Sequence, residues 1–350
     1  MDAMPDNLTI EKNASETKLL RIGVIGLGVG AQHIPAYKEN SNCEVVSLCD
    51  IDAAKRTEFA VKYPNMLITF DASQVLNDPT IDVVSIASYD DVHAQQIITA
   101  LDNDKHVFVE KPLCLHADEV RDIRHALKQR PHLKLSSNLI LRRSPRFMRI
   151  KQMIEDGSFG ELYHLEAQYN YGRLAKITDG WRGEIPYYSV VLGGGVHIID
   201  QLLWMTKQRV VEVAAFGNRI CSNNTNFKHD DMVAAILRFE NSMTATITAN
   251  FGCVRPHGHG LEIYGTKATF VNGEPDGFLY TSRDPSDKPQ VISDVHPGAA
   301  KGDLIASFVD SILDIAEPEV SADEVFDVMS VCLAIDKAKQ QNRTIEVEYI

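Results

Sequence analysis

A chain of 350 residues, 44% apolar and 24% charged, is long enough for two domains and an ample core. Its net charge of −13, with no basic tract, argues against nucleic acid or an anionic membrane surface as a partner. No apolar run approaches the ~20 residues of a bilayer span, and six cysteines without paired spacing suit reduced thiols in a cytoplasmic protein.

Residues 1–18 are polar and read as an N-terminal tail. Arg21–Gly26 then reads as a β-branched strand covered on both faces. It runs into Gly26-Leu27-Gly28-Val29-Gly30-Ala31, in which Gly26, Gly28 and Ala31 fill the G-x-G-x-x-G/A pattern of a dinucleotide-binding turn. Gly26 permits the tight turn, Gly28 lets a pyrophosphate approach the backbone, and Ala31 lets the helix pack close to the strand. The helix N-terminus offers free N–H groups to the phosphates. A second strand, Glu44–Asp50, ends in an acid roughly twenty residues further on, where the fingerprint requires one. Asp50 suits two ribose hydroxyls and repels a 2′-phosphate, and Ile51 beside it is no cation, so NAD is favoured over NADP. Lys55 and Arg56 in the next helix are the features that favour NADP instead.

Further strands are expected at Asp82–Ser88, His106–Glu110 and Leu133–Asn138, with a short one near Met66–Phe70. Helices are expected at Gln32–Glu39, Ala53–Tyr63, Ala72–Leu76, Val92–Leu101 and Ala117–Gln129. Such alternation predicts βαβ units, and hence a doubly wound parallel sheet of the Rossmann type over residues 19–141. Ligands bind at the sheet edge where the strands end. There the strand at His106 delivers Glu110-Lys111-Pro112. A lysine cation at that place favours alkoxide character in a substrate hydroxyl as hydride leaves; a solvated loop lysine is the competing reading. Pro112 fixes the bend, with a cis peptide as one way to do so.

Residues 142–350 follow a different pattern. A helix at Arg146–Glu155 precedes strands at Glu161–Tyr171, Val210–Gly217, Met232–Phe239, Met243–Asn250, Leu261–Tyr264 and Ala268–Val271. Short polar turns between neighbours predict a largely antiparallel sheet, making the second unit α+β. Helices at Asp303–Ile315 and Asp323–Gln340 and a strand at Thr344–Tyr349 close the chain, and Asp276–Pro289 reads as a surface excursion. Within this half, Gly193-Gly194-Gly195-Val196-His197-Ile198-Ile199-Asp200 opens a helix. His197 in its first turn suits proton transfer near neutral pH, and Asp200, one turn on, either orients it or satisfies nearby backbone. Tyr171, Arg173, Trp181 and Arg182 offer aromatic faces and cations to a sugar and its anionic groups. Arg142 at the junction is an anion contact or a helix-start charge. His257 and His259 lack a third ligand close in sequence, so no metal site is assigned.

GLGVGA at 26–31, EKP at 110–112, R-x-x-P from Arg142 to Pro145, DGSFGE at 156–161 and H-x-x-D from His197 to Asp200 together resemble a known family. It is the glucose-fructose oxidoreductase, inositol dehydrogenase and rhizopine-catabolism group of dinucleotide-dependent oxidoreductases, and the resemblance runs from about Leu20 to the C-terminus. It implies a Rossmann domain followed by an open-faced sheet that pairs copies into homodimers or homotetramers. It also implies that Glu110-Lys111-Pro112 lies beside the nicotinamide and that Lys111 and His197 flank the reacting carbon. The segment around Ala87, Ser88 and His93 resembles the family's cofactor loop. One departure stands out: many members carry aspartate four residues before the histidine, where this chain has Gly193. The expected function is hydride transfer between NAD and a secondary hydroxyl of a sugar or sugar derivative, sugar nucleotides included. A non-catalytic dinucleotide sensor of the same family is the alternative.

Overall fold

The computed structural model describes residues 19–350, so the polar tail read at residues 1–18 lies outside the described residues. The first half alternates as its sequence predicts. In chain order it comprises β1 (Leu20–Ile25), α1 (His33–Glu39), β2 (Cys43–Cys49), α2 (Ala53–Lys62), β3 (Leu67–Thr69) and α3 (Ser73–Leu76). There follow β4 (Val83–Ile86), α4 (His93–Asp102), β5 (His106–Val109), α5 (Ala117–Lys128) and β6 (Leu135–Ser137). The six strands form one parallel sheet in the order β3-β2-β1-β4-β5-β6. Ile22, Val24, Val83, Val84, Val107 and Phe108 have no exposed surface, as strands covered by helices on both faces require. The order reverses between β1 and β4, which opens a crevice at their C-terminal ends.

The second half begins with α6 (Pro145–Glu155), β7 (Leu162–Asn170) and α7 (Ala175–Thr178). A π-helical turn at Val191–Gly195 leads into α8 (Val196–Thr206). Strands β8 (Val210–Asn218), β9 (Met232–Phe239), β10 (Thr244–Asn250), β11 (Gly258–Gly265), β12 (Thr269–Val271), β13 (Gly277–Tyr280) and β14 (Gln290–Ile292) come next. Helices α9 (Ile305–Ile312) and α10 (Ala322–Gln341) and strand β15 (Ile345–Glu346) end the chain. Nine strands form one sheet, β14-β13-β12-β11-β7-β10-β9-β8-β15, antiparallel except where β10 lies parallel to β7. On β9, Val233, Ala235, Leu237 and Phe239 are buried while Ile236 is exposed, so one face of the sheet is packed and the other open. No helix among the described residues is long and apolar enough to cross a membrane.

Two sequence expectations need correction. The surface excursion at Asp276–Pro289 contains β13, whose Leu279 is buried and pairs with Phe270 of β12; residues 280–288 are exposed. The boundary at residue 141 is also not a clean division. Helix α9 returns to the first sheet, where Phe308 packs on Phe108 of β5 at 5.5 Å between ring centroids. Ser136 of β6 donates to Val320 O at 2.9 Å just before α10. The two units are therefore joined by more than one crossing of the chain.

Candidate active site

The glycine turn is built across the crevice. Gly26 N donates to Cys49 O at 2.8 Å and Ala87 N to Ile25 O at 2.7 Å, tying the turn to the ends of β2 and β4. Gly26 has φ +88°, and a Cβ there would overlap Ala87 O, so only glycine serves. Gly30 shares the close helix-to-strand approach that spacing gave to Ala31, which packs against the core. A Cβ at Gly30 would meet Val24 Cγ1 at 3.0 Å and Ala87 Cβ at 3.2 Å, while Ala31 is half-buried. Gly28 is exposed, and a Cβ on it would meet nothing nearer than Lys55 Nζ at 3.7 Å. That open backbone, followed by the helical turn at Gly30–Gln32, fits the phosphates of a dinucleotide.

Asp50 stands at the end of β2 with its carboxylate turned to the turn itself. Oδ2 accepts from Leu27 N at 2.7 Å and Oδ1 from Asp52 N at 2.8 Å. The N-cap of α2 is Asp52, whose side chain accepts from Ala54 N, so Asp50 is free of that duty. Lys55 Nζ lies 3.3 Å from Asp50 Oδ2, and Arg56 donates to the carbonyls of Asp50 and Ile51 at 2.9 and 2.8 Å. The Ile51 side chain is exposed. Both cations therefore sit at the end of β2, beside Asp50. On the far side, Ser88 Oγ donates to Gln96 Oε1 at 2.6 Å. The His93 ring spans Pro112 O at 2.8 Å and Ser88 O at 3.3 Å, which ties the loop after β4 to the bend after β5.

That bend carries the chemistry. The Lys111–Pro112 peptide is cis. Glu110 is buried and accepts from Asn138 Nδ2 at 2.7 Å, with His33 Nε2 at 3.3 Å. Burial works against its charge, yet the Lys301 cation, the His33 hydrogen bond and Lys111 hold its carboxyl down to about 2. Its carboxylate thus anchors the bend rather than lying open to a cofactor. Lys111 Nζ donates to Gly193 O in the second unit at 2.7 Å. Burial brings its amine down to about 8, against the pull of Asp90. Asp90 is itself buried beside Lys111, His93 and Arg182, and burial pushes its carboxyl up.

His197 lies in the first turn of α8, buried, with its Nδ1 lacking a hydrogen-bond partner among the described residues. Burial, followed by the charges of Lys111 and Lys301, holds its pKa well below the usual histidine range, so the ring is neutral. Asp200 does not orient it. Its carboxylate accepts from Arg142 Nη2 at 2.6 Å and Nε at 3.0 Å, and Arg142 Nη1 bonds Glu324 at 2.9 Å and Glu319 O at 2.7 Å. Arg142 and Asp200 form a buried junction between α8 and the start of α10, and neither is presented to a ligand as the sequence suggested. A wall of rings extends from His197. Tyr169 lies 6.1 Å from it, 5.1 Å from His257 and 5.5 Å from His259, and Tyr171 lies 5.8 Å from Tyr169. Arg173 lies over Tyr171 at 5.3 Å. Trp181 stacks on Tyr89 of the loop after β4 at 4.5 Å, with Arg182 over its ring at 4.3 Å.

Gly193 has a local cause. A Cβ there would overlap Tyr188 Oη, and Tyr188 is buried with the Arg182 guanidinium beside it. The place of the family aspartate is filled by a phenol from five residues earlier. Sequence reasoning missed Lys301 as a member of this cluster. Lys301 arrives through Asn138, whose Nδ2 bonds both Glu110 and Lys301 O at 2.9 Å, and no local pattern announces it. No cluster of three histidines, cysteines or carboxylates able to hold a metal occurs among the described residues.

Comparison with known proteins gives the family. Residues 20–138 match the family model described as an oxidoreductase family with an NAD-binding Rossmann fold, and residues 147–271 match the GFO/IDH/MocA C-terminal domain. The uncharacterized oxidoreductase YrbE of Bacillus subtilis is 29% identical over 261 residues, 72% of this chain and 73% of that protein. Myo-inositol 2-dehydrogenase of Thermotoga maritima is 26% identical over 257 residues, 71% and 73% of the two chains. Among solved structures, levoglucosan dehydrogenase in complex with NADH and L-sorbose superposes with a TM-score of 0.82 at 20% identity, over 94% of this chain and 99% of that one. This last likeness is one of fold.

Proposed function

Because the chain belongs to the Gfo/Idh/MocA family of oxidoreductases and has its NAD-binding Rossmann domain, we propose that it interconverts a secondary hydroxyl and a ketone on a sugar or sugar derivative. The observation that carries this reading is the meeting of Lys111 and His197. Lys111 comes from the end of β5 and is held on Gly193 O, three residues before α8, the helix that carries a neutral imidazole. The bound nicotinamide supplies the hydride acceptor at C4. In oxidation the bound nicotinamide would accept the hydride, with the electron pair of the substrate C–H bond, and the hydroxyl proton would pass to His197. The carbinol becomes a carbonyl, so atoms and charge balance. The Lys111 cation lowers the pKa of the hydroxyl before the proton moves and stabilises the developing alkoxide. Holding both groups from two units supplies the orientation on which the rate depends. Asp50 beside the glycine turn supports NAD as the preferred cofactor, with Lys55 the residue that tempers the preference.

Replacing Lys111 by Ala is expected to lower turnover by about 10²–10⁴ while NADH affinity stays within about tenfold. Turnover with NAD and NADP, read at 340 nm, and NADH titration check both halves. Full activity in Lys111→Ala would refute the assignment.

A further inference from the structure

Elsewhere in the molecule a buried cation is saturated. Arg142 holds Asp200 and Glu324. Arg146 donates to Asp294 O, Asn272, Gly273 O and Pro275 O. Lys105 donates to the carbonyls of Asp78 and Ile81. Lys339 bridges Asp230 and Asp336. Such satisfaction is what taking charge out of water demands. Around His197 stand four cations that are half-buried or, in the case of Arg173, exposed. Lys111, Arg173, Arg182 and Lys301 have no carboxylate within ion-pairing distance among the described residues, although the chain as a whole carries a net −13. Glu110 is already engaged by His33 and Asn138, and Asp90 faces Lys111 and Arg182.

These cations are not scattered. Lys301 is tied by its backbone to Asn138 and through it to Glu110, the neighbour of Lys111. They stand at the end where hydride is exchanged. Arg173 lies beyond Tyr171 at the other end of the ring wall, and Arg182 lies beside Tyr188, whose hydroxyl crowds Gly193. The wall between, Tyr169 and Tyr171 with His257, is apolar in its faces, as a sugar ring prefers. Two guanidinium groups beside such a wall, neither salt-bridged to a carboxylate among the described residues, can offer their remaining N–H groups to a carboxylate or phosphate.

We propose that the substrate is an acidic sugar derivative, its carboxylate or phosphate held by Arg173 and Arg182 while its carbinol reaches Lys111 and His197. This rests on the oxidoreductase reading and narrows it. The pyrophosphate of the cofactor does not account for these cations, because its place at Gly28 is provided by the turn and Lys55.

The test is equilibrium binding to the NADH-loaded protein, followed by Trp fluorescence, with D-glucose, D-glucuronate and D-glucose 1-phosphate as probes. At least one acidic probe is expected to bind tenfold or more tightly than glucose, and the better of the two names carboxylate or phosphate as the anion. Arg173→Gln should remove that advantage without changing NADH affinity. Glucose binding as tightly as both acids, or an advantage that survives in both Arg173→Gln and Arg182→Gln, would overturn the proposal. Acid binding that depends on Arg173, without hydride transfer from any acidic sugar, would leave the anion pocket standing and refute the oxidoreductase reading instead.

Discussion

Lys111 and His197 divide the proton work by their surroundings. Burial leaves the lysine amine near 8 and the imidazole well below 6.5. At pH 7 the amine is mostly cationic and the ring neutral, as a polarising cation and a proton acceptor should be. As pH rises through about 8 the cation is lost, while His197 does not titrate in that range. The kcat/KM for oxidation is therefore expected to be level near neutrality and to fall above about pH 8. Lys111→Arg should move the falling limb well upward, because guanidinium keeps its proton; an unmoved limb in that variant would assign it to another group. Gly193 makes a second prediction at this scale. Gly193→Asp drives a side chain into Tyr188 Oη and should cost about 1–3 kcal/mol by overpacking. In a Tyr188→Ala background, itself destabilised by the lost ring, the added cost of Gly193→Asp should be smaller than in the parent protein, as a double-mutant cycle in urea unfolding would read.

At the scale of elements, the junction of α8, α10 and the turn at Arg142 is held by charge. Removing Asp200 strands a buried guanidinium, so Asp200→Ala is expected to cost about 3–5 kcal/mol. The double change Arg142→Met with Asp200→Leu should cost far less, and equal losses in the two would show that packing rather than charge dominates there. This ion pair also shows where sequence legibility stops. The strands of the first sheet were readable because short apolar runs alternate with helical periodicity, and Gly26 because its turn chemistry is local. His197 and Asp200, three apart on one helix, looked like partners by spacing alone. The structure separates them, because Arg142 from the domain junction meets the carboxylate first. Lys301 was illegible for the same reason: its neighbours come from chain segments far away, and burial of a charge leaves no local pattern. The strand at Gly277–Tyr280 was hidden by flanking Asp, Pro and Ser, which describe its turns and not its buried Leu279.

For the whole molecule, the open face of the nine-stranded sheet is the largest unexplained feature. Phe216 on β8 is 72% exposed and Ile236 on β9 is 58% exposed, and they lie on neighbouring strands whose opposite faces are buried. We propose that copies of the chain pair through this face. Sedimentation is expected to give a dimer or tetramer, and Phe216→Lys with Ile236→Lys to reduce it to a monomer. A monomeric parent protein would place the interface out of the question.

The stack of Tyr89 on Trp181 joins the loop after β4 to the segment before α8, so the two halves are latched at their mouth. Any hinge-like parting on that side must peel the rings apart, at about 0.5–1.5 kcal/mol. A bound dinucleotide would then dwell roughly two- to tenfold longer than in an unlatched cleft. Release of the product cofactor, where it limits turnover, would be slowed by the same factor.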